Sequence, residues 1–146
     1  MRQRRSPFDP GRAFATARVV HGAIVAGSVM MFAVFLFLRT QVTFEVAAGT
    51  ARTLRFVGYV LLVIPVLGSG LVRGRIPPRG RGSDPAEWWI ASLPKAIVVW
   101  ALAEGGGLAA MVLGWLTGDM TLLALGAAVA LALLFVSRPS RLQSET

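Results

Sequence analysis

Residues 94–117 read PKAIVVWALAEGGGLAAMVLGWLT, an apolar run with one acidic residue, Glu104, near its middle. At a rise of 1.5 Å per residue, a helix over this run would be roughly 35 Å long, enough to cross a hydrocarbon core of about 30 Å. A charged side chain at the centre of a membrane helix costs about 2.5–3.5 kcal/mol on insertion scales. The run therefore predicts a transmembrane helix whose single carboxylic acid has a structural or functional purpose.

The rest of the chain repeats the apolar pattern. Of its 146 residues, 55% are hydrophobic and only 15% are charged, whereas about a quarter are charged in soluble domains. We predict a single all-α integral membrane domain over 1–146, with four transmembrane helices arranged as two antiparallel hairpins. The predicted spans are about 13–38, 53–72, 94–117 and 120–136.

The segment between the two predicted hairpins contains a linker followed by the start of a helix. Residues 73–84 are rich in Gly, Pro and Arg and read as a linker. Asp84 followed by Pro85 is typical of a helix start, so we predict a short interfacial helix over about 85–93. Trp88 and Trp89 would then lie in the aromatic belt at the membrane surface. The tail after Ser137 is predicted to be loose.

Basic residues indicate the orientation. Twelve of the fifteen Lys and Arg residues fall in the N-terminal segment, the 73–95 region and the C-terminal tail, while the other predicted side has only Arg39, Arg52 and Arg55. The positive-inside rule places both termini in the cytoplasm. The basic residues are expected to contact anionic lipid headgroups, and no nucleic-acid partner is predicted. The apolar stretch after the first arginines is longer than a signal-peptide core, so it is predicted to be a retained helix.

Few residues could carry chemistry. The chain has no cysteine and one histidine, His21, which excludes disulfides, thiolate chemistry and bis-histidine ligation within one chain. The glycine run at 105–107 lacks P-loop spacing, and one carboxylate is half of an acid–base pair. We predict no enzymatic activity, no catalytic residue, no metal site and no cofactor.

Small residues spaced four apart predict close helix packing. Such pairs occur in the first helix, as Gly22 with Ala26 and Ala23 with Gly27. In the third and fourth helices the spacing continues over three positions each, and we expect these two helices to form a tight hairpin turning at 117–119. The predicted ridges are Gly106, Ala110, Gly114 and Ala124, Ala128, Ala132.

Two interpretations of Glu104 remain open. The carboxylic acid could be protonated and hold helices or subunits together, or it could take up and release a proton or a cation. Trp100 lies one helical turn earlier on the same face, and His21 is predicted roughly 10 Å nearer the cytoplasm. Both are candidate neighbours of Glu104 in an ion- or proton-binding site.

The stretch Ala101-Leu-Ala-Glu104-Gly-Gly-Gly-Leu-Ala-Ala-Met-Val-Leu-Gly114 resembles the carboxylate-bearing helix of the rotary ATP synthase proteolipid, the c subunit. That resemblance implies that Glu104 is an ion-binding carboxylate. Proteolipids carry the acid on the second helix of a hairpin, whereas Glu104 lies on the first.

A second resemblance covers more of the chain. Arg18-x-x-His21-Gly22, the Ala-x-x-Glu-Gly helix, Leu-Thr-Gly after it and the terminal Arg138-Pro139 are similar to small four-helix bacterial membrane proteins of no assigned activity. That resemblance implies the bacterial inner membrane as the location. Small multidrug transporters also have four helices and one membrane Glu, but in them the Glu lies in helix 1.

Together these features favour an accessory or assembly subunit of a larger membrane complex, with other membrane subunits or further copies of the chain as partners. The alternative is a proton- or cation-coupled carrier that uses Glu104.

Overall fold

The computed structural model describes residues 10–80 and 82–143, and within these ranges every regular element is a helix. The helices are α1 (Pro10–Gln41), α2 (Ala48–Arg73), α3 (Pro85–Leu116), α4 (Met120–Val136) and the short α5 (Pro139–Leu142). Of these, α1, α2 and α3 are long and apolar enough to cross a membrane, and α4 is a shorter apolar helix of 17 residues. Four of the arginines on the predicted cytoplasmic side lie outside the described residues, at positions 2, 4, 5 and 81.

Helix α3 is the centre of the molecule. It packs against α1, α2 and α4, and residue pairs along the chain give the directions. Phe14 contacts Trp89 and Phe35 contacts Trp115, so α1 runs parallel to α3. Helix α2 runs the other way, because Gly68 lies beside Leu102 while the earlier Pro65 lies beside Gly106.

The predicted first hairpin differs from the structure. Helices α1 and α2 follow each other in the chain but make at most marginal contact with each other, since each packs on α3 instead. The physical reason is the distribution of small residues around α3, which lets three helices approach it from different sides. Contiguity in sequence therefore does not decide the pairing here.

Helices α3 and α4 form an antiparallel pair. Helices α3 and α4 pack tightly and turn at Thr117-Gly118-Asp119, where Gly118 has a φ of 67°, a conformation that glycine adopts without steric cost. Asp119 caps α4 by accepting a hydrogen bond from the Leu122 amide at 3.0 Å. This short connection forces α4 back along α3.

The predicted interfacial helix at 85–93 is not separate. Helix α3 begins at Pro85, capped by Asp84 as predicted, and continues through Pro94 to Leu116. Trp88 and Trp89 are buried in the core rather than placed in a surface belt. Pro94 removes one ladder hydrogen bond but does not divide the helix.

The linker and tail are also tied to the bundle. The Trp88 indole donates to the Pro77 carbonyl at 2.9 Å, and Lys95 Nζ donates to the Arg75 carbonyl at 3.0 Å. At the other end of the chain, α5 folds back toward α1 and buries Leu142. The tail predicted to be loose is therefore a docked helix, because Leu142 adds apolar surface to the core around Trp89.

Candidate functional site

Glu104 lies near the middle of α3 and is part-buried against α1. Its Oε1 is 3.6 Å from the position that a Cβ atom would occupy at Gly27, so the carboxyl group lies directly beside this glycine of α1. No hydrogen bond or ion pair joins Glu104 to another residue within 10–80 and 82–143. A carboxyl group in these surroundings has unused capacity both to accept and, when protonated, to donate.

The four residues from Glu104 to Gly107 point in four directions, because successive helix positions differ by about 100°. Glu104 faces Gly27 of α1, a Cβ at Gly106 would overlap the ring of Pro65 on α2, and a Cβ at Gly107 would lie 2.5 Å from Ala130 Cβ on α4. Gly105 has nothing within 4 Å and is exposed. One side of α3 is therefore left uncovered directly beside the carboxyl group.

This uncovered side lies between α1 and α2 and is apolar. Val98, Ala101 and Gly105 of α3 are exposed along it. On its α2 side a cavity of about 250 Å³ is lined by residues that include Pro65, Leu102 and Gly106. We call this surface the open face of α3. Its small residues would allow another helix to approach closely.

Trp100 and His21 form a separate cluster. The Trp100 indole is fully buried and donates to the Ser137 carbonyl at 2.8 Å, while His21 Nε2 is 3.0 Å from the Leu134 carbonyl. A carbonyl oxygen only accepts, so Nε2 must carry a hydrogen. The two rings meet edge to face at 5.1 Å. The structure brings these residues together, but their hydrogen bonds go to the C-terminal end of α4 and not to Glu104.

The predicted packing residues divide into two groups. Ala110 and Gly114 are buried and Gly106 contacts Pro65, as expected of a ridge. Gly22 and Ala26 are exposed, and so are the three predicted alanines of α4. This observation corrects the predicted packing faces of α1 and α4. Helix α4 meets α3 through a different face of small residues, Gly126, Ala127 and Ala130, in place of Ala124, Ala128 and Ala132.

The sequence interpretation missed one polar residue near Glu104. Ser28, which follows Gly27, is 3% exposed and its hydroxyl has no hydrogen-bond partner. A hydroxyl group in the middle of an apolar helix is a weak signal, but the Gly27–Ser28 pair at mid-helix could have drawn attention to this level of α1. For metals, the described part of the chain holds no group of three or more His, Cys, Asp or Glu side chains.

Comparisons with protein-family models, curated proteins and solved structures found no match to this chain. The arrangement itself offers one unpaired carboxyl group at the edge of an uncovered apolar helix face.

Proposed function

We propose that this chain is a bacterial inner-membrane protein in which α1 to α4 cross the bilayer and both ends of the chain lie in the cytoplasm. The support is the length and apolar character of α1, α2 and α3 and the grouping of basic residues at one end of the bundle. Helix α4, at 17 residues, is at the short end of the length range for a transmembrane helix.

Within that membrane setting, we propose a non-catalytic role as an accessory or assembly subunit of a larger complex. The observation that carries this proposal is the open face of α3 with Glu104 at its edge. The face is flanked by α1 and α2, which scarcely touch each other, so it has the shape of a groove. A transmembrane helix of a partner subunit fits this groove.

The chemistry of the groove specifies that partner. Ala101 and Gly105 are small and exposed, so a helix that docks on them should approach closely and carry small residues of its own. Glu104 lacks a partner among the described residues, so the docking helix should present a hydrogen-bond donor or a basic side chain at mid-depth. The alternative occupant of the groove is a helix from a second copy of the chain.

The test is purification in a mild detergent, followed by identification of the proteins that remain bound. Gly105→Leu fills the groove, whereas Gly22→Leu adds the same side chain at another exposed helix position with open space and serves as the matched control. We expect wild type and Gly22→Leu to retain a stoichiometric membrane partner and Gly105→Leu to lose it. Equal retention by both variants would refute the docking role of the open face, and a homo-oligomer would refute the heteromeric subunit.

The second candidate is a carrier that uses Glu104, and it is favoured by one observation. A cavity of about 390 Å³ lies where α1 begins, lined by Phe14, Arg18, His21, Pro139 and Ser140. Roughly 9 Å of α1 separates His21 from Gly27 beside Glu104. In reconstituted vesicles, loss of proton or cation flux in Glu104→Gln with unchanged assembly would favour the carrier.

A further inference from the structure

A third cavity lies at the other end of the bundle, where α1 ends and α2 begins. Its volume is about 390 Å³, and it is a half-open space between the α1–α2 connection and the end of α3. Its lining includes two arginines, Arg39 and Arg55, together with Trp115 and Phe44. Neither the packing of the helices nor the proposed role of Glu104 makes use of this cavity.

Two residues of its lining each have a hydrogen-bond donor without an acceptor. Arg39 Nη1 and Trp115 Nε1 are both shielded from solvent and lack a hydrogen-bond partner. Buried donors in native proteins almost always have a partner, so each of these two would gain a hydrogen bond by turning toward an acceptor in the cavity. An incoming acceptor would not have to displace water from these two atoms.

The charged groups around the cavity also favour an anionic acceptor. Arg55 donates to the Thr117 carbonyl at 2.9 Å and lies 3.7 Å from the Asp119 carboxylate. Asp119 also caps α4, so its charge is already shared. Arg39 makes no ion pair with a carboxylate of the described residues, and Glu45 is exposed and outside the lining. The cavity therefore has an excess of positive charge.

We propose that this cavity binds the phosphate group of an anionic phospholipid headgroup. A guanidinium group presents two parallel N–H donors that match phosphate oxygens, and the Trp115 indole adds a third donor. Binding requires both the Arg39 guanidinium and the Trp115 indole to turn toward the incoming phosphate, because Nη1 and Nε1 are shielded in this structure. Both residues are only part-buried.

A lipid is favoured over free phosphate because apolar side chains continue from the cavity. Val42, Phe44 and Leu116 belong to the lining, and Phe37, two residues before Arg39, is exposed. These groups could contact acyl chains while the phosphate occupies the polar part. The inference rests on the proposed membrane insertion, since the lipid must reach this end of the bundle from the bilayer.

Native mass spectrometry of the detergent-purified chain with added phosphatidylglycerol tests the inference. Arg39→Ala removes the unpaired guanidinium, and Arg52→Ala removes an exposed arginine at the same end that does not line the cavity. We expect wild type and Arg52→Ala to hold one lipid molecule. Arg39→Ala should bind it about 10- to 100-fold more weakly, because a charged hydrogen bond is lost.

Trp115→Phe keeps an aromatic side chain but removes the N–H donor together with the five-membered part of the indole, and it serves as the second test if Arg39→Ala fails to fold. We expect Trp115→Phe to weaken lipid binding by about threefold to tenfold. Equal binding by wild type and both cavity variants would overturn the inference. Retention of inorganic phosphate without retention of phosphatidylglycerol would overturn the lipid assignment. A chain that co-purifies with no partner subunit would refute the proposed function but would leave this lipid measurement unchanged.

Discussion

At the scale of single residues, two tryptophans of α3 differ in what their indole N–H groups do. Trp100 is fully buried, and its N–H donates to the Ser137 carbonyl, linking α3 to the end of α4. Trp115 packs between Phe35 and Phe44, but its N–H has no partner among the described residues. The same residue type thus supplies a structural hydrogen bond at one position and an unused donor at the other.

This difference predicts the effect of removing each N–H group. Trp100→Phe leaves the Ser137 carbonyl without its indole donor and should lower the free energy of unfolding by about 1–3 kcal/mol. Trp115→Phe, the matched control, removes the same ring atoms without breaking a hydrogen bond, so in lipid-free detergent it should lower the free energy of unfolding by about 1 kcal/mol less than Trp100→Phe does. Denaturant unfolding followed by circular dichroism measures both, and equal effects would show that the Trp100 hydrogen bond does not stabilise the bundle.

At the scale of helices, the glycines that follow Glu104 determine which elements can approach α3. At Gly107 a Cβ atom would lie 2.6 Å from the Gly126 carbonyl oxygen, and at Gly126 it would lie 2.7 Å from the Gly107 carbonyl oxygen. Two backbones are therefore in direct contact across the α3–α4 interface. Such contacts are typical of membrane helices, whose association depends on close packing rather than on a difference in hydrophobicity.

Substitution of these glycines by alanine should separate the packed side of α3 from its uncovered side. Gly107→Ala forces α4 away and should lower the free energy of unfolding by about 1–3 kcal/mol. Gly105→Ala meets open space and should raise it by up to about 1 kcal/mol, because alanine favours a helix more than glycine does. Thermal unfolding in detergent distinguishes them. A destabilised Gly105→Ala would show that the open face is covered within the folded chain.

The sequence predicted the positions of the helices better than it predicted which side of each helix packs against the others. The apolar runs located α1, α2 and α4 to within about five residues, and Asp84 marked the start of α3. Helix α3 begins nine residues before its predicted span, because the predicted interfacial helix is continuous with it. The packing face of α4 was predicted wrongly, because Ala124 and Ala128 have the same spacing as the Gly126–Ala130 pair that meets α3. In a helix that is apolar all round, hydrophobicity does not distinguish a side facing protein from a side facing lipid.

The candidate site was predictable only in part, for a related reason. Glu104 was identifiable because a carboxyl group is costly in an apolar run. Its true neighbour on α1, Gly27, has no chemical signature beyond small size, and one-turn spacing pointed instead to Trp100, whose indole is committed to Ser137. Which residues meet across two helices depends on their register and rotation, and the pattern along one helix does not determine these.

At the scale of the whole molecule, basic residues lie mainly at the end where α1 begins and α4 finishes, while Arg39 and Arg55 lie at the other end. The absence of cysteine from the chain allows this arrangement to be tested by single-cysteine labelling. Ser83→Cys and Ser140→Cys should react with a membrane-impermeant reagent from the cytoplasmic side, and Thr50→Cys from the opposite side. Labelling of positions 83 and 140 from different sides would contradict the proposed four crossings.

The central position of α3 also affects how the molecule is made. In the proposed membrane setting, α1 and α2 are synthesised and inserted before α3, yet these first two helices scarcely touch each other in the folded chain. During synthesis α1 and α2 therefore remain unpaired until α3 is synthesised and packs against both of them. Biogenesis of this protein should accordingly be most vulnerable to degradation or to chaperone capture in the interval between release of α2 and arrival of α3.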